Sequence, residues 1–133
     1  MGRVLVDSCV LLDVIKQDPA WAAWSEKAIE KAAEHHELVI NPFIYAEVSM
    51  HFARIEDLDE SLSLYEHAPL PYEAGFLAGK AFLLYRQRGG RKRAPLPDFY
   101  IGAHAAIEGM TLLTRDAARF RTYFPKLHVV APP

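Results

Sequence analysis

At 133 residues, 51% of them apolar and 24% charged, the chain suits one domain, residues 1–133, burying about two thirds of its unfolded surface, which excludes disorder as its dominant state. Its formal net charge of −2 excludes a global nucleic-acid signature, so any nucleic-acid binding must come from a local basic patch. The single cysteine, Cys9, excludes an internal disulfide and points to a reducing compartment.

Arg3 to Val6 is short, apolar and continuous, which predicts a central strand covered on both faces. Asp7-Ser8 can cap a helix over Cys9 to Lys16, and Asp18-Pro19 restarts a second one over Ala20 to His36 with the apolar stripe Trp21, Trp24, Ala28 and Ile29. The run from Val4 to Leu12 is broken by Asp7 and lacks a small-residue cleavage site after it, so it reads as strand and helix rather than signal peptide. Leu38-Val39-Ile40 predicts a second buried strand, stopped by Asn41-Pro42. Helices follow over Phe43 to Arg54 and Leu58 to Glu66, with Ile44, Val48, Phe52 and Ile55 as the apolar stripe of the first. Pro69 and Pro71 bracket an extended link, and Tyr72 to Arg88 reads as a helix ended by Gly89-Gly90. Its apolar part, Ala74 to Tyr85, contains Lys80 and is too short to span a bilayer. Gly89 to Pro97 reads as a basic loop, Asp98 to Gly109 as a helix, Thr111 to Thr114 as a strand, Ala117 to Tyr123 as a short helix and Leu127 to Val130 as a last strand. Short apolar strands alternating with amphipathic helices imply right-handed βαβ crossovers. The expected fold is α/β, a three-layer α/β/α sandwich around a central parallel sheet, in a soluble cytoplasmic protein.

Four acids stand beside these buried segments. Asp7 closes the first strand, Glu47 lies one turn into a helix, Asp98 opens another, and Asp116 follows the strand Thr111 to Thr114. Strand ends and helix starts beside a buried sheet are where open α/β folds build their sites. Taken singly, Asp7, Asp98 and Asp116 are equally well explained as helix caps or first-turn acids, each contributing about 0.5–2 kcal/mol. Glu47 shares a polar stripe with His51 and Arg54 and could equally be a solvated face. Together they should converge at one edge of the sheet, where carboxylates repel unless a hard, oxygen-preferring cation sits between them. That pattern points to phosphodiester chemistry dependent on Mg²⁺ or Mn²⁺. Ser8 and Thr114 supply hydroxyls beside Asp7 and Asp116, in capping or strand-end bonds rather than as ligands. The six histidines show no metal-ligand spacing, so zinc is not expected, and His104 reads as a packing or surface residue rather than a base.

In Val6-Asp7-Ser8 with Val10-Leu11-Leu12-Asp13, Asn41-Pro42 through Tyr45-Ala46-Glu47-Val48, Leu96-Pro97-Asp98-Phe99-Tyr100-Ile101-Gly102-Ala103-His104-Ala105, and Leu113-Thr114-Arg115-Asp116 followed by Phe120, the chain resembles PIN-domain ribonucleases, specifically VapC-type toxins of prokaryotic toxin–antitoxin modules. The resemblance implies that Asp7, Glu47, Asp98 and Asp116 bind Mg²⁺ or Mn²⁺ and cut RNA, that a cognate antitoxin is the protein partner, and that the toxin is a homodimer. It departs at Cys9, where the family often has Asn, which implies a lost hydrogen bond. It departs again at Arg119, where the family often has an additional Asp, which implies one-metal occupancy without substrate.

The cluster Arg86, Arg88, Arg91, Lys92 and Arg93 surrounds Gly89-Gly90 just upstream of Asp98. It can be a solvated helix end or a loop that grips RNA phosphate in a salt-dependent way. Arg115, Arg119 and Arg121 either add to that field or contact an antitoxin, whose helix an apolar groove between the first helices could receive. Trp21, Trp24, Phe76 and Phe82 read as core or dimer-interface residues. The competing function is a PIN-like binding or dimerisation module with degraded catalysis. A haloacid-dehalogenase-like phosphatase would want an acid where Cys9 stands.

Overall fold

The structure is a computed structural model that describes residues 2–93 and 96–133. Five parallel strands, β1 (Gly2–Val6), β2 (His36–Ile40), β3 (Glu66–His67), β4 (Thr111–Leu113) and β5 (Val129–Val130), lie in the order β3-β2-β1-β4-β5. Helices α1 (Ser8–Ile15), α2 (Ala22–Ala33), α3 (Pro42–Ser49), α4 (Ile55–Ser61), α5 (Tyr72–Gln87), α6 (Pro97–Ile107) and α7 (Ala118–Tyr123) fill the crossovers. The result is the expected three-layer α/β/α sandwich. Among the described residues no helix is long and apolar enough to cross a membrane.

The sheet is built outward from β1. Val4, Leu5 and Val6 are buried, as a strand covered on both faces requires, and pair with β2 on one side and β4 on the other. The chain leaves β1 toward β2 and β3, then returns across the sheet to β4. The strand order therefore reverses between β1 and β4, and the crevice beyond their carboxyl ends is the topological switch point where such folds bind ligands. Leu112 and Leu113 of β4 and Phe99 and Ile101 of α6 complete this central core.

Several boundaries differ from those the sequence predicts. Asp18 takes the N–H groups of Ala20 and Trp21 at 2.9 Å each, closing a turn that delays α2 to Ala22; the same helix ends early and His36 opens β2. Helix α3 stops at Ser49, whose hydroxyl donates back to the carbonyl of Ala46 at 2.6 Å. Glu47 thus shares no helical stripe with His51 and Arg54, and Ile55 belongs to α4 and is exposed. Glu56 and Asp57 suit the positive end of a helix, so α4 begins at Ile55 rather than Leu58. Glu66, expected as the end of that helix, and His67, which follows it, instead pair with Val39 and Ile40 as the edge strand β3.

Helix α5 closes as its glycines suggest: Gly89 has φ +92°, and the N–H groups of Gly89 and Gly90 reach the carbonyls of Arg86 and Tyr85 at 3.0 Å each. The basic loop that follows includes residues 94 and 95, which lie outside the described residues. Of the large aromatics on the helical stripes, Trp24 and Phe82 pack against the core, whereas Phe76 is exposed on the outer face of α5 beside Tyr72.

Helix α6 approaches α7 closely at Gly102, where an added Cβ would lie 2.5 Å from the Phe124 ring and 3.1 Å from that of Phe120. Both rings are buried and cannot yield cheaply. Gly102→Ala is therefore expected to destabilise the protein by about 1–3 kcal/mol, read from urea unfolding midpoints at constant m.

Candidate active site

Asp7 is the first residue after β1. Its backbone N–H still pairs with the carbonyl of Leu113 at 2.9 Å, so the residue is held between β1 and β4 at the switch point. Its side chain is 6% exposed, and each carboxylate oxygen has partners. Oδ1 accepts from the Ser8 N–H at 2.8 Å, the capping contact of α1. Oδ2 accepts from the Thr114 hydroxyl at 2.8 Å and from the Cys9 thiol at 3.6 Å. Burial raises the Asp7 pKa above the ordinary range, and these donors oppose the shift.

The same hydroxyl residues tie two more acids to Asp7. The Ser8 hydroxyl donates to Glu47 Oε1 at 2.8 Å, and Thr114 Oγ1 accepts from the backbone N–H of Asp116 at 3.2 Å. Glu47 is placed by α3, whose N-cap Asn41 accepts from the Ile44 N–H at 3.0 Å. Asn41 also meets buried His104 of α6 at 3.1 Å, and His104 Nε2 meets Glu108 at 3.1 Å. His104 is therefore a packing residue; burial lowers its pKa, and its bonds fix the carriers of Glu47 and Asp98 against each other. Asp98 lies in the first turn of α6, where the N-cap residue Leu96 offers no side-chain bond, and is joined by Arg119 Nη1 at 3.4 Å. The structure thus brings Asp7, Glu47, Asp98 and Asp116 to the carboxyl end of the sheet. Asp7 is buried, Glu47 and Asp98 half-buried and Asp116 exposed.

Electrostatics join the four into one unit. Burial first, then the charge of Asp7, raises the Asp98 pKa to about 6; Glu47 and Asp116 add to the rise and Arg119 opposes it. Glu47 is raised likewise, by burial and then by Asp7, against the bond from Ser8. Four carboxyl groups gathered at one edge, with Asp7, Glu47 and Asp98 raised in pKa, fit a divalent cation by chemistry. Among the described residues, however, no three His, Cys, Asp or Glu side chains form a ready-made metal cluster. Ser8, Thr114 and Arg119 hold the carboxylates by other bonds instead.

Cys9, where the resemblance implies a lost hydrogen bond, makes sulfur contacts of its own at the site. Its sulfur lies 3.6 Å from both Asp7 Oδ2 and Thr114 Oγ1, and accepts from the Arg115 N–H at 3.5 Å. Burial, and then the charge of Asp7, pushes the thiol up to about 11, so it remains a neutral donor.

Asp13, within a quoted motif but given no role from sequence, is buried and accepts from Ser25 Oγ at 2.7 Å. Arg115 clamps it through Nε at 2.9 Å and Nη2 at 3.1 Å, with the guanidinium 5.2 Å from the Trp21 ring centroid. This ties α1, α2 and the loop carrying Asp116 together. An acid inside the otherwise apolar run Val10 to Ile15 is the available signal. The adjoining cleft, about 270 Å³, mixes Leu12 and Met50 with Asp13, Lys16, Asp18, Glu47 and Arg115. In the basic cluster Arg86, Arg88, Arg91, Lys92 and Arg93 are exposed; Arg86 is bonded to the Lys92 carbonyl at 2.6 Å, and Arg88 lies 5.4 Å over the Tyr123 ring.

The PIN domain family model matches residues 4–124. The chain belongs to the PIN domain family. PIN domains are nucleases and generally use a divalent metal. Similar solved structures include VapBC2 from Rickettsia felis bound to a DNA fragment from its promoter, 19% identical with 98% of this chain and 99% of that chain covered and a TM-score of 0.75. VapBC-1 from nontypeable Haemophilus influenzae is 15% identical, with 97% of each chain covered and a TM-score of 0.75. A toxin–antitoxin complex from Klebsiella pneumoniae is 21% identical, with 98% of each chain covered and a TM-score of 0.67. At these identities the likeness shows that the PIN fold is shared. No curated protein sequence matches the chain.

The raised pKa of Asp98 has a signed consequence for metal-free protein. Between the ordinary aspartate value of ~3.9 and about 6, native Asp98 keeps a proton that the unfolded chain has lost. Its contribution to stability therefore falls as pH rises through that window. Asp98→Asn should melt higher than the parent above pH ~6.5, with the gain fading below pH ~4, in thermal melts across the range. The neutral Cys9 thiol should react with iodoacetamide at pH 8 far more slowly than free cysteine, and speed up on unfolding in urea.

Proposed function

We propose that this PIN domain is a metal-dependent endoribonuclease acting as the toxin of a toxin–antitoxin pair. The observation that supports this best is the buried Asp7 at the switch point, linked through Ser8 and Thr114 to Glu47 and Asp116 and by charge to Asp98. Asp7, Glu47, Asp98 and Asp116 would hold Mg²⁺ or Mn²⁺. Bound there, the ion would supply Lewis-acid polarisation of the phosphate and neutralise charge on the leaving oxygen.

The chain's own groups do the rest. Thr114, Cys9 and the Ser8 N–H fix the Asp7 carboxylate in one orientation. The Ser8 hydroxyl orients Glu47. Two half-buried acids with raised pKa values, Glu47 and Asp98, can hold or release a proton nearer to neutral pH than ordinary carboxylates. The exposed Arg86, Arg88, Arg91, Lys92 and Arg93 supply the positive field that carries an RNA backbone toward an acidic centre. The reading takes residues 1–133 as one domain and places the protein in the cytoplasm as a homodimer held inactive by a cognate antitoxin, in keeping with the toxin–antitoxin complex named in the Klebsiella pneumoniae structure.

The test is incubation of antitoxin-free protein with total RNA in Mg²⁺, Mn²⁺ or chelator, beside Asp7→Asn and Asp98→Asn. Discrete fragments should form only with metal, and each substitution should lower the rate about a hundredfold or more, the scale of removing a charge-stabilising group from a reaction centre. A folded protein that binds RNA with no cleavage under any of these conditions would instead be a PIN-like binding module.

A further inference from the structure

We infer that Arg119 is the phosphate-contacting residue of the acidic centre, a cation that neutralises Asp98 before substrate arrives and transfers to an RNA phosphate when metal takes that carboxylate. The inference rests on the nuclease reading and adds to it a residue that departs from the quoted family motif.

Arg119 projects from α7, and its guanidinium lies 6.0 Å from the Tyr85 ring centroid and 5.9 Å from that of Phe99. Those rings belong to an edge-to-face cluster in which Tyr85, Phe99 and Tyr123 come from α5, α6 and α7, with centroids 5.5, 6.3 and 5.4 Å apart. Arg88 lies over the third ring of the same cluster. The aromatic shelf thus holds two cations along the path from the basic loop to Asp98. Stacking on rings fixes a guanidinium while leaving its edge N–H groups available, an arrangement suited to planar recognition of phosphate.

The Arg119 contact with Asp98 is weakly made. At 3.4 Å through a single nitrogen it exceeds the ~2.7–2.9 Å of a strong charge-assisted bond, and both side chains are part-exposed, 39% and 33%. Arg115 shows the contrast, gripping buried Asp13 through two nitrogens at 2.9 and 3.1 Å. Arg115 is committed to the fold, whereas Arg119 can exchange partners. A chain of net charge −2 that gathers four carboxylates at one edge repels an RNA backbone there. A phosphate reaching Asp98 needs a cation beside it, and among the described residues Arg119 is the one bonded to any of those four carboxylates.

The test uses the whole chain and the variants Arg119→Ala, Arg119→Lys and Lys27→Ala, the last an exposed cation on α2, each checked for folding by circular dichroism. Titration calorimetry measures Mn²⁺ binding without RNA, and anisotropy measures binding of a short fluorescent single-stranded RNA in Ca²⁺ over a salt series. Arg119→Ala should bind Mn²⁺ several-fold more tightly, because the competing cation is gone. It should bind RNA about tenfold or more weakly, as loss of one charge-assisted contact requires. Its log K against log salt slope should be shallower by about 0.7, one phosphate contact on a single strand. Arg119→Lys should retain the slope, and Lys27→Ala should match the parent in all three readouts. Tighter Mn²⁺ binding with unchanged RNA affinity and slope would overturn the phosphate role, and so would unchanged or weakened Mn²⁺ binding. A parent protein that cleaves no RNA would sink the nuclease reading, whereas cleavage that Arg119→Ala leaves intact, with both affinities unchanged, would sink this inference alone.

Discussion

A carboxylate buried at the end of the central strand is the constraint around which this molecule is arranged. Removing Asp7 from water is costly unless its oxygens are bonded, and the donors come from three places: the first N–H of α1, the thiol one residue further on, and the hydroxyl after β4. The last of these forms only if β1 and β4 are neighbours in register, so the full set of donors depends on the central strand pair. The reversal of strand order at that pair leaves a crevice there. Three further acids border it, and the charge of Asp7 makes Glu47 and Asp98 harder to ionise.

The molecule separates its charges into those that hold the frame and those that remain adjustable. Asp13 with Arg115 and Ser25 is buried, two-pronged and braced on Trp21. Breaking one partner of such a set leaves an uncompensated charge in the interior. Asn41 with His104 and Glu108 does the same for the helices that bear Glu47 and Asp98. Asp98 with Arg119 is longer and more exposed. The loosely held charge pair therefore lies where the acids meet, and the closely bonded ones lie in the frame that carries them.

Much of the fold was legible because its signals are local. Val4-Leu5-Val6 cannot be solvated on either side, and Gly89-Gly90 ends α5 by a backbone conformation that favours glycine. Elements whose signal is weak were misjudged. Glu66 and His67 look nothing like a strand; they form one because the edge of β2 offers unpaired backbone groups. Ser49 ended α3 through one side-chain bond that periodicity does not register.

By itself the sequence determined which segments are buried, that they alternate in an α/β order, and that four acids stand next to them. Apolar periodicity and the chemistry of helix starts are properties of neighbouring residues, so a linear reading reaches them. Only the tertiary structure decided what each acid touches: that Thr114 serves Asp7, that Ser8 serves Glu47, that Arg115 belongs to Asp13 and that Arg119 reaches Asp98. Such pairings join residues as much as 107 positions apart, and bond geometry at that separation exists only once the sheet has set the distances.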